Sequence, residues 1–284
     1  MTEVRALDPS PTNLTEVREL LSEVFPKARY LTDSYLDWCY CRNPLGSVVA
    51  VNAYSEGLLV GHLAGQPIRA RLEGEEEPGL LAIHNTVRAG YRGKKIYAMM
   101  ADHFLRYGIA AGHRFVVGYT NVASRNFVAR RMRDFAVVSS LEAKIGIGSL
   151  PAGGPRTEAQ FARVWDAASL RWRLARPGAR YRMRSKKDHC ILYALTDLPG
   201  IAAELGRFSP EAVDFQLPEP SRLSPGRLWI GLDATRDWSR CTYINIPPRL
   251  RPSPLALVFS DLSGRGRKLD VHRVHVEAID LDVF

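Results

Sequence analysis

Val87-Arg88-Ala89-Gly90-Tyr91-Arg92-Gly93-Lys94-Lys95-Ile96-Tyr97 is the stretch that decides how this chain is read. An apolar run, Leu80-Leu81-Ala82-Ile83, leads into it, and a helix-forming run over residues 98–107 follows. The order describes a strand that ends in a short basic turn and hands over to a helix. The first turn of a helix carries backbone N–H groups without intrahelical partners and the positive end of the macrodipole, so it attracts an anion. A glycine and several cations at that point favour a pyrophosphate. The plainer alternative is an ordinary strand-to-helix turn with a solvated basic face.

The surroundings bound the choice. The chain has 284 residues, 46% hydrophobic and 24% charged, the composition of a globular protein with room for one large domain or two ordinary ones. No run approaches the roughly 20 apolar residues of a membrane span. Met1-Thr2-Glu3-Val4-Arg5 lacks the basic-then-apolar order of a signal peptide, so a cytoplasmic location is expected. Cys39, Cys41, Cys190 and Cys241 match neither a zinc ribbon nor a redox pair, and we read them as reduced thiols with no metal site.

The net charge of +9 points to anionic partners. Between Arg88 and Arg133 the cations Arg88, Arg92, Lys94, Lys95, Arg106, Arg114, Arg125, Arg130, Arg131 and Arg133 face Asp102 alone. Aromatics are not interleaved with the basic runs as base stacking requires, which disfavours nucleic acid and favours a phosphorylated small molecule. Glu73, Glu75, Glu76 and Glu77 read as an acidic, glycine-flanked turn.

Periodicity and turn chemistry predict helices from Asn13 and from Thr32, strands over 47–54, 58–72 and 79–87, the helix over 98–107, and a strand over 114–119. A helix over 121–132 and a strand over 135–147 complete a first half. The expected fold is α/β: a mixed sheet with helices on both faces. Pro151-Ala152-Gly153-Gly154-Pro155 reads as a linker and divides the chain into domains 1–150 and 156–284. Beyond it we expect a helix over 157–165, a second helix around 169–174, and strands over 181–184, 190–195, 228–232, 256–261 and 271–279. Ser169-Leu170-Arg171-Trp172-Arg173-Leu174-Ala175-Arg176-Pro177-Gly178 echoes Ser34-Tyr35-Leu36-Asp37-Trp38 through Arg42-Asn43-Pro44-Leu45-Gly46. Each is a helical aromatic run ending in Arg, Pro and Gly before a strand, and we read an internal duplication with a degenerate second half.

At this point the first half resembles the GNAT superfamily of acyl-CoA-dependent N-acyltransferases. The family's cofactor motif, commonly Tyr-Arg-Gly-Lys-Gly-Ile-Gly, here reads Tyr91-Arg92-Gly93-Lys94-Lys95-Ile96-Tyr97. Asn121 with Ser124 matches a further marker after the strand at 115–119. Trp38, Asn43-Pro44 and Gly46, with the closing Asp280-Leu281-Asp282-Val283-Phe284, resemble a subgroup associated with surface-polysaccharide gene clusters. Lys95 and Tyr97 depart from the motif's central glycine and terminal small residue. Val128 stands where many relatives carry the tyrosine that protonates the leaving thiolate.

The resemblance implies acyl transfer from acetyl-CoA, or another acyl-CoA, to an amine of a small molecule or sugar. It implies donor binding by Val87, Arg88, Arg92, Gly93, Lys94, Lys95, Ile96, Tyr97 and Asn121. The catalytic candidates are His84, whose pKa range suits a base, Asn85, which can hold a water, and the acids Tyr119 and Ser124. A structural histidine satisfied by backbone is the other reading of His84, and His62 is a further candidate for the same pocket. Other donors consistent with the fold are aminoacyl-tRNA and an acyl carrier protein. A non-catalytic CoA-binding module is the remaining alternative.

Overall fold

The computed structural model describes residues 2–121, 124–125, 134–220, 225–251 and 254–281. Strand β1 (Thr2–Ala6) pairs with β2 (Val49–Ser55), and two helices lie between them. Helix α1 (Pro11–Val24) starts two residues ahead of Asn13 because Ser10 accepts the Asn13 amide and Pro11 suits the first helical position. Thr32 caps α2 (Asp33–Cys41) in the same way, accepting from the Tyr35 amide at 3.2 Å. Strands β2, β3 (Leu58–Leu72) and β4 (Glu75–Val87) form an antiparallel meander. The acidic turn is narrower than its composition implies. Glu73 and Gly74 make the reversal with positive φ, while Glu75, Glu76 and Glu77 already belong to β4.

Helix α3 (Ile96–Ala110) crosses one face of this meander with Ile96, Met100 and Phe104 against Val51, Val60, Leu63 and Leu80. Its close approach depends on glycine: a Cβ at Gly65 would sit 2.6 Å from the Phe104 ring, and one at Gly61 2.9 Å from Met100. Helices α1 and α2 cover the opposite face through Leu14, Val17, Leu20, Leu21, Tyr35 and Leu36. Strand β5 (Phe115–Asn121) pairs in parallel with β4. The mixed sheet with helices on both faces is therefore present.

The remainder departs from the periodicity in several places, among them β-strands at Ile201–Phe208 and Ile244–Asn245 where none was expected. The strand expected over 135–147 is two strands, β6 (Ala136–Ser140) and β7 (Glu142–Ile147), which join different neighbours. The helix expected over 157–165 is a short 3-10 turn, Arg156–Glu158, followed by β8 (Phe161–Arg163). Burial of Phe161 and Ala162, and pairing of β8 with β3 and with β15 (Val274–Val276), override the local helical pattern. Between residues 271 and 279 only β15 is strand, flanked by 3-10 turns. The helix read over 121–132 is described only at residues 124–125; Val128 and the last three residues of the closing segment, 282–284, lie outside the described residues.

After α4 (Ala167–Leu174) come β9 (Tyr181–Ser185), β10 (Cys190–Leu195) and β11 (Ile201–Phe208), again an antiparallel meander. Strand β11 pairs in parallel with β12 (Gly226–Asp233), as β4 does with β5. Two strands then change places. β14 (Leu255–Asp261) enters the first sheet between β5 and β6, and β7, flanked by β13 (Ile244–Asn245), runs antiparallel to β12. The exchange, with the β3–β8–β15–β12 bridge, makes one sheet of fifteen strands among the described residues.

Helices α2 and α4 meet at Trp38 and Trp172, the paired tryptophans of the sequence echo. Trp38 Nε1 donates to the Trp172 carbonyl at 2.8 Å and Trp172 Nε1 to the Trp38 carbonyl at 3.1 Å. The rings stack with centroids 4.9 Å apart. Both indole N–H groups are thus satisfied in a buried contact, which such groups need.

Candidate active site

Strands β4 and β5 hold together only over Leu80–Ala82 and Val116–Gly118. β4 then continues to Val87 and β5 to Asn121 without further mutual pairing, so the sheet opens into a cleft at its carboxyl end. On the other side of β4 the register with β3 slips between Ala64 and His62, which leaves His84 and Asn85 as a bulge. His84 adopts φ +53°, rarely taken by a residue with a Cβ and the kind of strain found at functional sites.

The turn after Val87 supplies the anion-binding geometry. Gly93 has φ +81° and Lys95 lies in the left-handed region at φ +61°, ψ +4°, at the N-cap of α3. No side chain caps that end, and Arg92, Gly93, Lys94 and Lys95 are exposed around it. The first-turn N–H groups and these cations share one turn, a donor set of the chemistry a diphosphate takes. Arg92 Nε folds back to the Val87 carbonyl at 3.1 Å, and the Lys94 ammonium lies 4.8 Å from the Tyr91 ring centre. Arg88 points elsewhere: it pairs with Glu23 of α1 and donates to the Leu59 carbonyl. Ile96 is buried under α3, and the Tyr97 hydroxyl is hydrogen-bonded to the Asn85 side chain. Burial pushes the Tyr97 phenol up to about 12, against that hydrogen bond. The tip of β4 is thereby tied to the first turn of α3.

His84 faces α2. Its Nδ1 lies 3.0 Å from Tyr40 Oη and its Nε2 3.3 Å from Tyr35 Oη. Tyr40 Oη also meets His62 Nε2 at 2.7 Å, and His62 Nδ1 meets Asn52 Oδ1 at 2.7 Å. The Tyr40 ring stacks on both imidazoles, with interplanar angles of 9° to His84 and 23° to His62. His62 is wholly buried, and burial, with the neighbouring His84, holds its pKa down to about 3, so it is neutral. Both ring nitrogens of His84 thus meet hydroxyls of α2. Tyr35, Tyr40 and Asn52 carry no motif. Nothing in the sequence places them on His84 and His62, because the contact depends on the β3–β4 register and on how α2 docks.

The other candidates lie along β5. Asn121 Oδ1 accepts the Ser124 amide at 3.0 Å, so Asn121 caps the turn that follows β5 and Ser124 is exposed beside it. Tyr119 faces the second half. Burial pushes its phenol well above the ordinary value, the Asp280 carboxylate adds to the rise, and Arg163 and Arg156 oppose it. A buried ionic cluster continues from there: Arg156 pairs with Glu277, and Arg236 reaches Glu277 at 3.1 Å and Asp233 at 3.2 Å. Glu277 is buried, yet Arg156, His275 and Arg236 hold its carboxyl well below the usual range.

No family model matches the chain, and no curated protein matches it. Solved structures do. A probable N-acyltransferase from Enterococcus faecalis V583 matches with a TM-score of 0.65 at 10% identity, over 93% of this chain and 73% of its own. A GCN5-related N-acetyltransferase from Anabaena variabilis matches with a TM-score of 0.61 at 12% identity, over 92% and 73%. Eis1 from Mycobacterium abscessus matches with a TM-score of 0.57 at 11% identity, over 92% and 74%. The chain has the fold of the GCN5-related N-acetyltransferases, extended by a large second part. Among the described residues no helix is long and apolar enough to cross a membrane.

Proposed function

We propose that the chain is an N-acyltransferase that moves an acetyl or other acyl group from acyl-CoA to an amine of a small molecule or sugar. One observation carries this reading: the β4–β5 cleft opens directly beside the uncapped, basic N-terminus of α3, with a strained histidine at its edge. Arg92, Gly93, Lys94 and the first-turn amides of Ile96 and Tyr97 receive the diphosphate, and Lys95 adds its charge. Residues 1–150 form the donor-binding part. Residues 156–284 repeat its strand order around β9–β12 and shape the acceptor side as a degenerate second copy.

The donor supplies a thioester carbonyl. A backbone amide near Val87, at the open edge of β4, polarises that carbonyl, and His84 Nε2 takes the proton released as the amine nitrogen forms its bond to carbon. Collapse of the tetrahedral adduct breaks the carbon–sulfur bond, and the thiolate takes a proton from Tyr119 or Ser124. Burial keeps Tyr119 neutral and also makes it a weaker acid, which favours Ser124 or an ordered water beside it for this step. Asn85, tied to Tyr97, holds the β4 tip in place.

The test is ligand-induced stabilisation. Acetyl-CoA at a hundredfold over its dissociation constant adds about 2.7 kcal/mol to unfolding, and Arg92→Ala with Lys94→Ala should remove most of that gain. No stabilisation by any CoA ester would reject the reading. Stabilisation by an acyl carrier protein or by aminoacyl-tRNA instead would reassign the donor, and binding without turnover over an amine panel would leave a CoA-binding module.

A further inference from the structure

We infer that a cavity at the carboxyl end of β5, lined by Thr120, Arg125, Ser140 and Arg251, binds a phosphate group. These residues lie outside the turn before α3, and the inference does not depend on that turn.

Strand register builds the floor. Ala256 of β14 stands opposite Thr120 of β5 on one side and Ser140 of β6 on the other. Residues paired in register share a face, so the two hydroxyl side chains flank a single methyl group. It is the face that α3 covers, because Val116, four residues earlier on β5, packs in the α3 core. An alanine between two short polar side chains leaves a hollow. The cavity there measures about 180 Å³, well above what one water needs. β5 is also a wall of the β4–β5 cleft, so β14 lies only one strand spacing, about 4.8 Å, beyond it.

Two half-buried guanidiniums line the same hollow. Arg125 donates from Nη1 to Ser140 Oγ at 3.0 Å, which leaves the Ser140 hydroxyl its own proton to give. Arg251 is held through Nε to the Ile246 carbonyl at 2.8 Å and through Nη1 to the Leu141 carbonyl at 2.6 Å. Those bonds fix its plane and leave Nη2 as its remaining donor arm among the described residues. Burial lowers the Arg251 pKa, the mark of a cation that has lost water without gaining a full counter-charge. Glu142 acts on it in the opposite sense, but that carboxylate is paired with Lys144 at 3.2 Å. Among the described residues no carboxylate lines the cavity. Two like charges beside one hollow repel each other, and an anion between them reverses the sign of that interaction. Guanidinium arms and hydroxyls on both sides of Ala256 suit the oxygens of a tetrahedral phosphate better than the planar pair of a carboxylate.

The phosphate has two chemical sources. Acetyl-CoA carries a phosphate monoester on its ribose, and free phosphate presents the same oxygens. The test uses the full chain and both probes. Inorganic phosphate is titrated against chloride at equal ionic strength in the Arg92→Ala, Lys94→Ala background, so that the α3 turn does not contribute, with thermal unfolding as the readout. Acetyl-CoA and acetyl-dephospho-CoA, which lacks the monoester, are compared by calorimetry on the chain with that turn intact. Arg125→Gln should cut the affinity for the phosphate group about ten- to a hundredfold, the range for a hydrogen bond to a charged group, and Thr120→Val about two- to tenfold. A fall in the inorganic-phosphate series assigns the site to free phosphate. A fall in the ratio of the two CoA affinities assigns it to the donor. Variants that change neither readout overturn the inference, and Thr120→Val decides alone should Arg125→Gln not fold. If no CoA ester binds, the proposed function fails while the inorganic-phosphate series still decides this site, so the two failures are distinguishable.

Discussion

Replacing Lys95 by glycine should make the protein more stable, although it removes a charged side chain from the turn proposed to bind the donor. Lys95 sits at φ +61°, ψ +4° at the start of α3, where it is exposed and makes no side-chain cap. The left-handed region costs a residue with a Cβ about 1–2 kcal/mol. Glycine removes that strain, but its greater freedom in the unfolded chain takes back about 0.4–1 kcal/mol. The net expectation is a gain of about 0.5–1 kcal/mol, or about 1–3 °C in Tm for a chain of this size. Lys95→Ala is the control, since it loses the same ammonium while keeping the Cβ and its strain. Urea titration of the two variants without ligand separates the terms. If Lys95→Gly is no more stable than Lys95→Ala, Lys95 is not held in the left-handed region and the geometry of this turn is wrong. With acetyl-CoA present both variants should lose the same increment of ligand stabilisation, because both lack the charge.

Further expectations follow from the buried groups. His62 titrates at its ordinary 6.5 when unfolded and at about 3 in the fold, so the unfolded chain takes up a proton that the folded one refuses. Stability should therefore rise with pH from about 3 to about 6.5 and level off above, with about 2 kcal/mol lost between pH 6.5 and 5; His62→Gln should flatten that slope in denaturant titrations at several pH values. Trp172→Phe retains an aromatic ring but removes the 3.1 Å bond to the Trp38 carbonyl, and a loss of about 0.5–1.5 kcal/mol is expected by urea unfolding. Asn121→Ala removes the acceptor for the Ser124 amide and should cost about 0.5–2 kcal/mol, read by the same titration.

The elements nearest the decisive stretch were legible because their signals are local. Thr32 as a cap, the turn at Gly93 and the apolar runs of β3 and β4 act within a few residues; β3 agrees with its reading, and β4 begins four residues earlier, inside the acidic segment. Residues 157–165 misled because a helical pattern there is weaker than the pairing of β8 with β3 and β15, which the chain reaches only after folding. The split at Leu141 escaped for a related reason. β6 and β7 take different partners, β14 and β12, through pairs as distant in sequence as Ala136 with Phe259 and Glu142 with Gly231, which no local window spans.

By itself the sequence determined the class of fold, the place of the glycine-containing basic turn before α3 and the presence of His84 on the strand that leads to it. Each depends on residue types at fixed short spacings: a strand, a glycine with cations, a helix start. Tertiary structure alone decided where the cleft opens after Ala82 and Gly118, that β14 closes the far edge of β5, and that α2 brings Tyr35 and Tyr40 onto the His84 ring. Those depend on strand register and on the docking of α2, where a hydrogen bond joins residues as distant as Tyr40 and His84. A strand slipped by one residue would turn His62 to the other face of the sheet and leave the composition unchanged.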